Sequence, residues 1–166
     1  MKNVFLVGLT SCVLIMTARS DALDSGNLGL RLEASVGGPD SITCKLSVKN
    51  VTTNVVKISV ANREPPFMVT VLDQQGEDLN KEANLPIKRG KSLSAPAHGQ
   101  LLTLTLQPGE VRLLQGTIVL HSPGGASLHL ASGKYSVQAR LVDVNYVNGK
   151  YDTTVFQSND SQIVVK

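Results

Sequence analysis

Apolar and polar residues alternate without a break from Leu28 to Val36. Leu28, Leu30, Leu32, Ala34 and Val36 fall on one side, and Gly29, Arg31, Glu33 and Ser35 on the other. A two-residue period places successive side chains on opposite faces of a strand, so this run predicts a strand with one buried face. Gly37-Gly38-Pro39-Asp40 then turns the chain into a second alternating run, Ile42, Cys44, Leu46 and Val48. Asn50-Val51-Thr52-Thr53-Asn54 interrupts it before Val56, Ile58 and Val60 resume the pattern. Pro65-Pro66 opens Phe67-Met68-Val69-Thr70-Val71-Leu72, and Asp73-Gln74-Gln75-Gly76 closes that run with turn-forming residues.

Residues 77–100 break the rhythm. They carry Lys81, Lys88, Arg89 and Lys91 with Pro86 and Pro96 and no sustained period, which predicts a long loop insertion. Order returns at Leu102, Leu104 and Leu106, and Leu106-Gln107-Pro108-Gly109-Glu110 predicts a turn. From Val111 to Leu120 the apolar phase slips by one residue, from Val111 and Leu113 to Leu114, Ile118 and Leu120. Such a slip predicts a β-bulge near Leu113-Leu114. Asn148-Gly149 between Tyr146 and Tyr151 suits a type I′ hairpin that makes the two tyrosines cross-strand neighbours. Residues 161–166 read as the last strand.

The stretch from Leu128 to Val142 names the fold class. Tyr135, Val137, Ala139 and Leu141 share one face, and Gly133 stands just ahead of the tyrosine. A turn glycine, then a tyrosine in phase with a buried strand, is how the tyrosine corner of an immunoglobulin-like domain is written. With about seven to nine short strands and turn signals between them, the expected fold is all-β. It is an antiparallel immunoglobulin-like or fibronectin-III-like β-sandwich. Gly133, Tyr135 and Cys44 are the fold-defining residues, Cys44 because it lies in phase with Ile42, Leu46 and Val48 as a small buried hydrophobe.

The amino-terminal twenty residues do not belong to that pattern. Lys2 precedes an apolar run from Val4 to Met16, and Ala18-Arg19-Ser20 offers small residues at a cleavage site. This is the form of a secretory signal peptide cleaved near Ser20, and the run ends before the ~20 apolar residues of a membrane anchor. Leu9-Thr10-Ser11-Cys12 also has the look of a lipobox, but cleavage there would leave a very short leader, so lipid anchoring at Cys12 is disfavoured. The expectation is residues 1–20 as signal peptide and 21–166 as one domain, secreted or periplasmic, with no membrane span. The leader also holds Lys2 and Arg19 and no acid, so the 16 basic and 13 acidic residues become 14 and 13. That balance gives no case for nucleic-acid binding. Cys44 then remains as the one cysteine, which leaves no internal disulfide.

Candidate chemistry is sparse. The sequence lacks Gly-x-Ser-x-Gly, His-Glu-x-x-His, a Walker-type glycine loop and Cys-x-x-Cys. His98, His121 and His129 sit among turn residues without ligand spacing, although His121 and His129 flank one turn. No cofactor, metal or catalytic residue is expected. Lys88, Arg89 and Lys91 form the candidate partner-binding loop. Asn50-Val51-Thr52 and Asn159-Asp160-Ser161 match the glycosylation acceptor pattern, which matters only in a eukaryotic secretory pathway.

Four landmarks come in a familiar order. They are Leu46-Ser47-Val48-Lys49-Asn50, Val69 to Gly76, Leu104 to Glu110, and Leu130-Ala131-Ser132-Gly133-Lys134-Tyr135-Ser136-Val137. In this order the chain resembles bacterial immunoglobulin-like domains of the intracellular-proteinase-inhibitor (BsuPI-like) type, from which it departs in its leader and its 77–100 insertion. Ser132-Gly133-Lys134-Tyr135 is also similar to the Ser-Gly-x-Tyr loop of some bacterial lysozyme inhibitors, where the serine and tyrosine enter the target's cleft. A tyrosine buried at a corner cannot do that. The expected function is therefore an exported, non-catalytic domain that binds a protein partner through its loops. The alternatives are a hydrolase (peptidase or lysozyme) inhibitor, or a structural or accessory subunit of a cell-envelope assembly.

Overall fold

The computed structural model describes residues 26–80, 101–122, 125–147 and 150–166. The expected leader with Cys12, the basic residues Lys88, Arg89 and Lys91, His98, and the expected turn at Asn148-Gly149 lie outside the described residues. Those described form nine strands and no helix: β1 (Leu28–Gly38), β2 (Ser41–Asn50), β3 (Val56–Ala61), β4 (Met68–Leu72), β5 (Leu101–Leu106), β6 (Val111–Val119), β7 (Gly133–Val147), β8 (Lys150–Gln157) and β9 (Ser161–Val165). All pairings are antiparallel.

Three sheets result. One has the order β1-β2-β6, the second pairs β3 with β5, and the third is centred on β7. Along β7, residues 136–140 pair with β4 on one edge, while β8 and β9 share the other edge in succession. The inward faces meet in one apolar cluster that draws on all nine strands, with Leu30, Ile42, Leu46, Val60, Val71, Leu106, Val137 and Leu141 fully enclosed. The alternation in sequence is the cause: in β2 every second residue from Ile42 to Val48 is apolar and enclosed, and in β1 the same holds for Leu28, Leu30 and Leu32. Ala34 is half-buried, and Val36, expected on the buried face, is 42% exposed near the turn into β2.

The bulge expected near Leu113-Leu114 is absent. β6 pairs with β2 in unbroken register from Val119↔Ser41 to Val111↔Lys49. Leu114 and Leu120 point inward, and Val111 and Leu113 are apolar residues on the outer face, each 56% exposed. The apparent slip came from reading those two as core. The register does shift in β1, between Val36 and Gly38, where the chain approaches the turn into β2.

The first four residues of the expected 77–100 loop are fixed against β4. Asp78 forms a bridge with Leu72, and the Leu79 amide donates to the Val71 carbonyl at 2.8 Å. Residues 77–80 thus fold back along β4, and the rest of the segment lies outside the described residues. None of the described residues forms a helix long and apolar enough to cross a membrane.

Candidate functional site

Among the described residues four polar ones are buried, and three of them continue the inward phase of a strand. Asn50 follows Ile42, Cys44, Leu46 and Val48; Asp143 follows Tyr135, Val137, Ala139 and Leu141; Ser158 follows Phe156. A buried polar group without a partner is costly, and each of these is bonded to neighbouring chain. Asn50 Nδ2 donates to the carbonyls of Asn54 (2.7 Å) and Leu106 (3.0 Å), and its Oδ1 accepts from the Thr52 amide and hydroxyl, both at 2.9 Å. Its own amide donates to the Glu110 carbonyl. One residue therefore ties the end of β2 to the turn into β3 and to the turn between β5 and β6.

Asp143 does the same between β3 and β7. Its Oδ1 accepts from the Ser59 amide at 2.7 Å, and its Oδ2 from Asn145 Nδ2 at 2.9 Å. Ser158 sits where β8 gives way to β9. Its amide donates to the Ala139 carbonyl, and its hydroxyl accepts from the Ala139 amide, so β7 loses no bond across the break. Asn159 next to it reaches the first sheet, accepting from the Leu32 amide at 2.8 Å, and Ser161 Oγ accepts from the Ala34 amide at 3.0 Å. These two side chains cover the outer edge of β1, as exposed strand edges require. The fourth, Asn80, donates from Nδ2 to the Val69 carbonyl at 2.7 Å and locks the 77–80 fold-back.

Both sequons are thus structural. The Asn50 amide is enclosed and fully bonded, and the Asn159 amide holds β1, so a glycan on Asn50 would break the bonds that place two turns.

Tyr135 is 7% exposed, and its hydroxyl donates to the Ala131 carbonyl at 2.8 Å, four residues upstream. Ser132 is exposed, and its hydroxyl donates to the Val165 carbonyl. Of the Ser132-Gly133-Lys134-Tyr135 loop, the serine and lysine face solvent and the tyrosine does not. The loop forms one wall of an open cleft of about 310 Å3, with Asp73, Gln74, Gln75, Leu79, Leu128 and His129 around it. Asp73 is engaged in its own turn, where Oδ1 accepts from the Gln75 and Glu77 amides. His121 is exposed and bridges Ser127 across a turn, and His129 is exposed in the cleft. Among the described residues, no three His, Cys, Asp or Glu side chains come together as a metal site.

A second depression of about 230 Å3 lies on the flank, between residues 63–69 and the Thr117–Val119 end of β6, with Asn80 at its border. Its floor is set by close packing: a Cβ on Gly116 would come within 2.6 Å of Pro65 Cβ. Arg63 lines it, and desolvation pulls that guanidinium below its ordinary value. At the other end of β6, Arg112 and Glu110 pair at 2.8 Å. The hydrogen bond from Arg112, helped by the Gln107 amide, holds the Glu110 carboxyl below its usual range. Cys44 is enclosed, and burial pushes its thiol up to about 11.

Pattern reasoning passed over Asn50, Asp143, Ser158, Asn80 and the Gly116–Pro65 contact. For the first three a signal existed: a polar residue at a position that the two-residue period assigns to the core. No family model matches the chain, and no curated protein matches it in sequence.

Proposed function

We propose that the chain is an exported, non-catalytic, immunoglobulin-like β-sandwich of the intracellular-proteinase-inhibitor type that binds a protein partner through its loops. One observation carries the reading. The buried polar side chains Asn50, Asn80, Asp143 and Ser158 are all bonded directly to the backbone of neighbouring chain, and the bonds tie turns and strand ends to one another. Polar groups used in this way build a rigid frame that holds its connections in fixed places, which is how loop-binding scaffolds divide labour. The reading also draws on Tyr135, whose bond to Ala131 has the span of a tyrosine corner. A buried Tyr135 removes one of the two residues on which a lysozyme-inhibitor loop would rely, so partner binding is preferred over that alternative.

Both roots of the basic segment are held. Asn80 is fixed to Val69, and Leu101 pairs with Ala61. Lys88, Arg89 and Lys91 are the residues proposed to meet an acidic partner surface. The test is affinity capture from an envelope extract by the wild-type protein and by a Lys88→Ser/Arg89→Ser/Lys91→Ser variant. A partner captured by the first and lost by the second supports the proposal, and a hydrolase among such partners would favour the inhibitor reading. Equal capture by both would move the site to another surface.

A further inference from the structure

The two edges of the β1-β2-β6 sheet are treated differently. On β1 the outward amides of Leu32 and Ala34 are capped by Asn159 and Ser161, and the exposed side chains include the Arg31–Glu33 pair. β6 has no such cover. Among the described residues, it bonds to β2 along one side and to nothing along the other.

The orientation of its free groups follows from the ladder. Because Leu32 and Ala34 direct their amides away from β2, the odd residues of β1 bond to β2, and in an antiparallel ladder the bonding residues alternate. The even residues of β2 therefore bond to β6, through Cys44↔Gly116 and Leu46↔Leu114. That leaves Val111, Leu113, Gln115, Thr117 and Val119 with N–H and C=O pointing into solvent. The same five residues carry exposed side chains, three of them apolar: Val111 and Leu113 at 56% and Val119 at 45%. Edge strands are ordinarily guarded by charge, proline or a bulge. This face of β6 has none.

We infer that the free edge of β6 is a dimer interface, on which a second copy of this chain adds its own β6 antiparallel about a two-fold axis through Gln115. The sequence suits that axis. It sets Val111 opposite Val119, Leu113 opposite Thr117, and Gln115 opposite itself, so the two valines meet at each end, the central pair is uncharged and polar, and no charge of the outer face opposes another. Since Gln115 is a residue with outward backbone groups, the central pair is a bonded one, and about ten main-chain hydrogen bonds form. An isologous contact of this kind closes on itself and leaves no further edge.

Charge selects a second copy over an arbitrary strand. Arg63 and Glu64 line the groove at the Val119 end, where the axis brings the Val111 end of the second copy, with its Glu110 and Arg112. Each end of the dimer thus sets an Arg–Glu couple against a Glu–Arg couple, and Arg63, with no ion pair among the described residues, gains a carboxylate. The contact is small by the standard of permanent dimers, so the dissociation constant is expected on the order of micromolar.

The test uses the protein with its amino terminus as processed by its host, in sedimentation over a concentration series with hydrogen exchange on the β6 amides. Wild type should be a reversible dimer, and the Leu113, Gln115 and Thr117 amides should become protected as it forms. Leu113→Lys/Thr117→Lys places like charges opposite each other twice and should weaken the dimer at least about tenfold. Leu113→Lys/Thr117→Glu places opposite charges there and should restore it. Both positions are exposed, so the fold tolerates either pair. A monomer at all concentrations up to about 1 mM would overturn the inference, as would a dimer indifferent to both variants. Failure of the second pair to restore dimerisation would overturn the register. Protection of the same amides in a monomer would mean that another segment or partner strand occupies the edge, and would also overturn it.

Discussion

Asn50 and Tyr135 act alike: each is a polar group carried into the core by a strand's phase and bonded there to a carbonyl of another segment. Their energetic weights differ. Tyr135→Phe removes one hydroxyl and leaves the Ala131 carbonyl free, and should cost about 1 kcal/mol. Asn50→Ala strands the buried Leu106 carbonyl and frees the Thr52 amide, and should cost about 2–3 kcal/mol. Urea unfolding of the two variants beside wild type checks both the sizes and their order. Cys44 gives a pH signature. Its thiol is held at about 11 when folded against 9.0 for an unburied group, so the folded protein keeps a proton that the unfolded chain has lost. The contribution is present in full below pH 9.0 and is lost as pH rises to about 11. Whatever Cys44→Ala loses at neutral pH through its cavity, the gap to wild type should narrow between pH 9.0 and about 11 in unfolding titrations. A constant gap would mean that the thiol is not desolvated in the folded state.

Strands could be read from the sequence because one physical fact, burial of one face, writes a two-residue period into the chain. β2 and β7 follow it along most of their length, and β1 as far as Leu32. What the period cannot encode is which strand lies beside which. That β7 spends one edge on β8 and β9 in turn depends on Ser158 replacing a strand bond with a hydroxyl; the period marks Ser158 as a polar residue in a core position but does not say which strand it bonds. Nor can it tell an apolar residue on the outer face from one in the core, and Val111 and Leu113 produced an expected bulge for that reason. The inner side of β6 holds the converse case. Gly116 occupies a core-facing position with no side chain, and the space is taken by the Pro65 ring, whose Cβ and Cγ would lie 2.6 and 3.0 Å from an added Cβ. A proline ring cannot rotate away, so Gly116→Ala should cost about 1–3 kcal/mol by overpacking. Pro65→Gly in the same chain, which removes the Cβ as well as the ring, should recover part of that loss, and a double-mutant cycle in urea would show the coupling. Additive losses would place the strain elsewhere.

At the scale of the whole molecule, the boundary between frame and loop decides how function can be tested. Composition marks residues 77–100 as one insertion, but the first four belong to the frame. Asp73 Oδ1 accepts the Gln75 and Glu77 amides, Leu79 returns to Val71, and Asn80, only 7% exposed, donates to Val69 from its side chain. The signal was masked because Asp78 and Asn80 are residues that turns and loops also favour. A Gly-Ser bridge that replaces residues 77–100 removes the bonds of Glu77, Leu79 and Asn80, one of them buried. A bridge that replaces residues 81–100 keeps all of them. The first variant should therefore unfold at a stability about 2 kcal/mol or more below the second, by urea titration. Equal stability would mean that the fold-back contributes nothing to the frame. The difference bears directly on the proposed capture test, because a variant cut at 77 would lose capture whether the basic residues carry it or the frame has loosened. Cut at 81, with β4 still covered by 77–80, loss of capture reports on residues 81–100 alone.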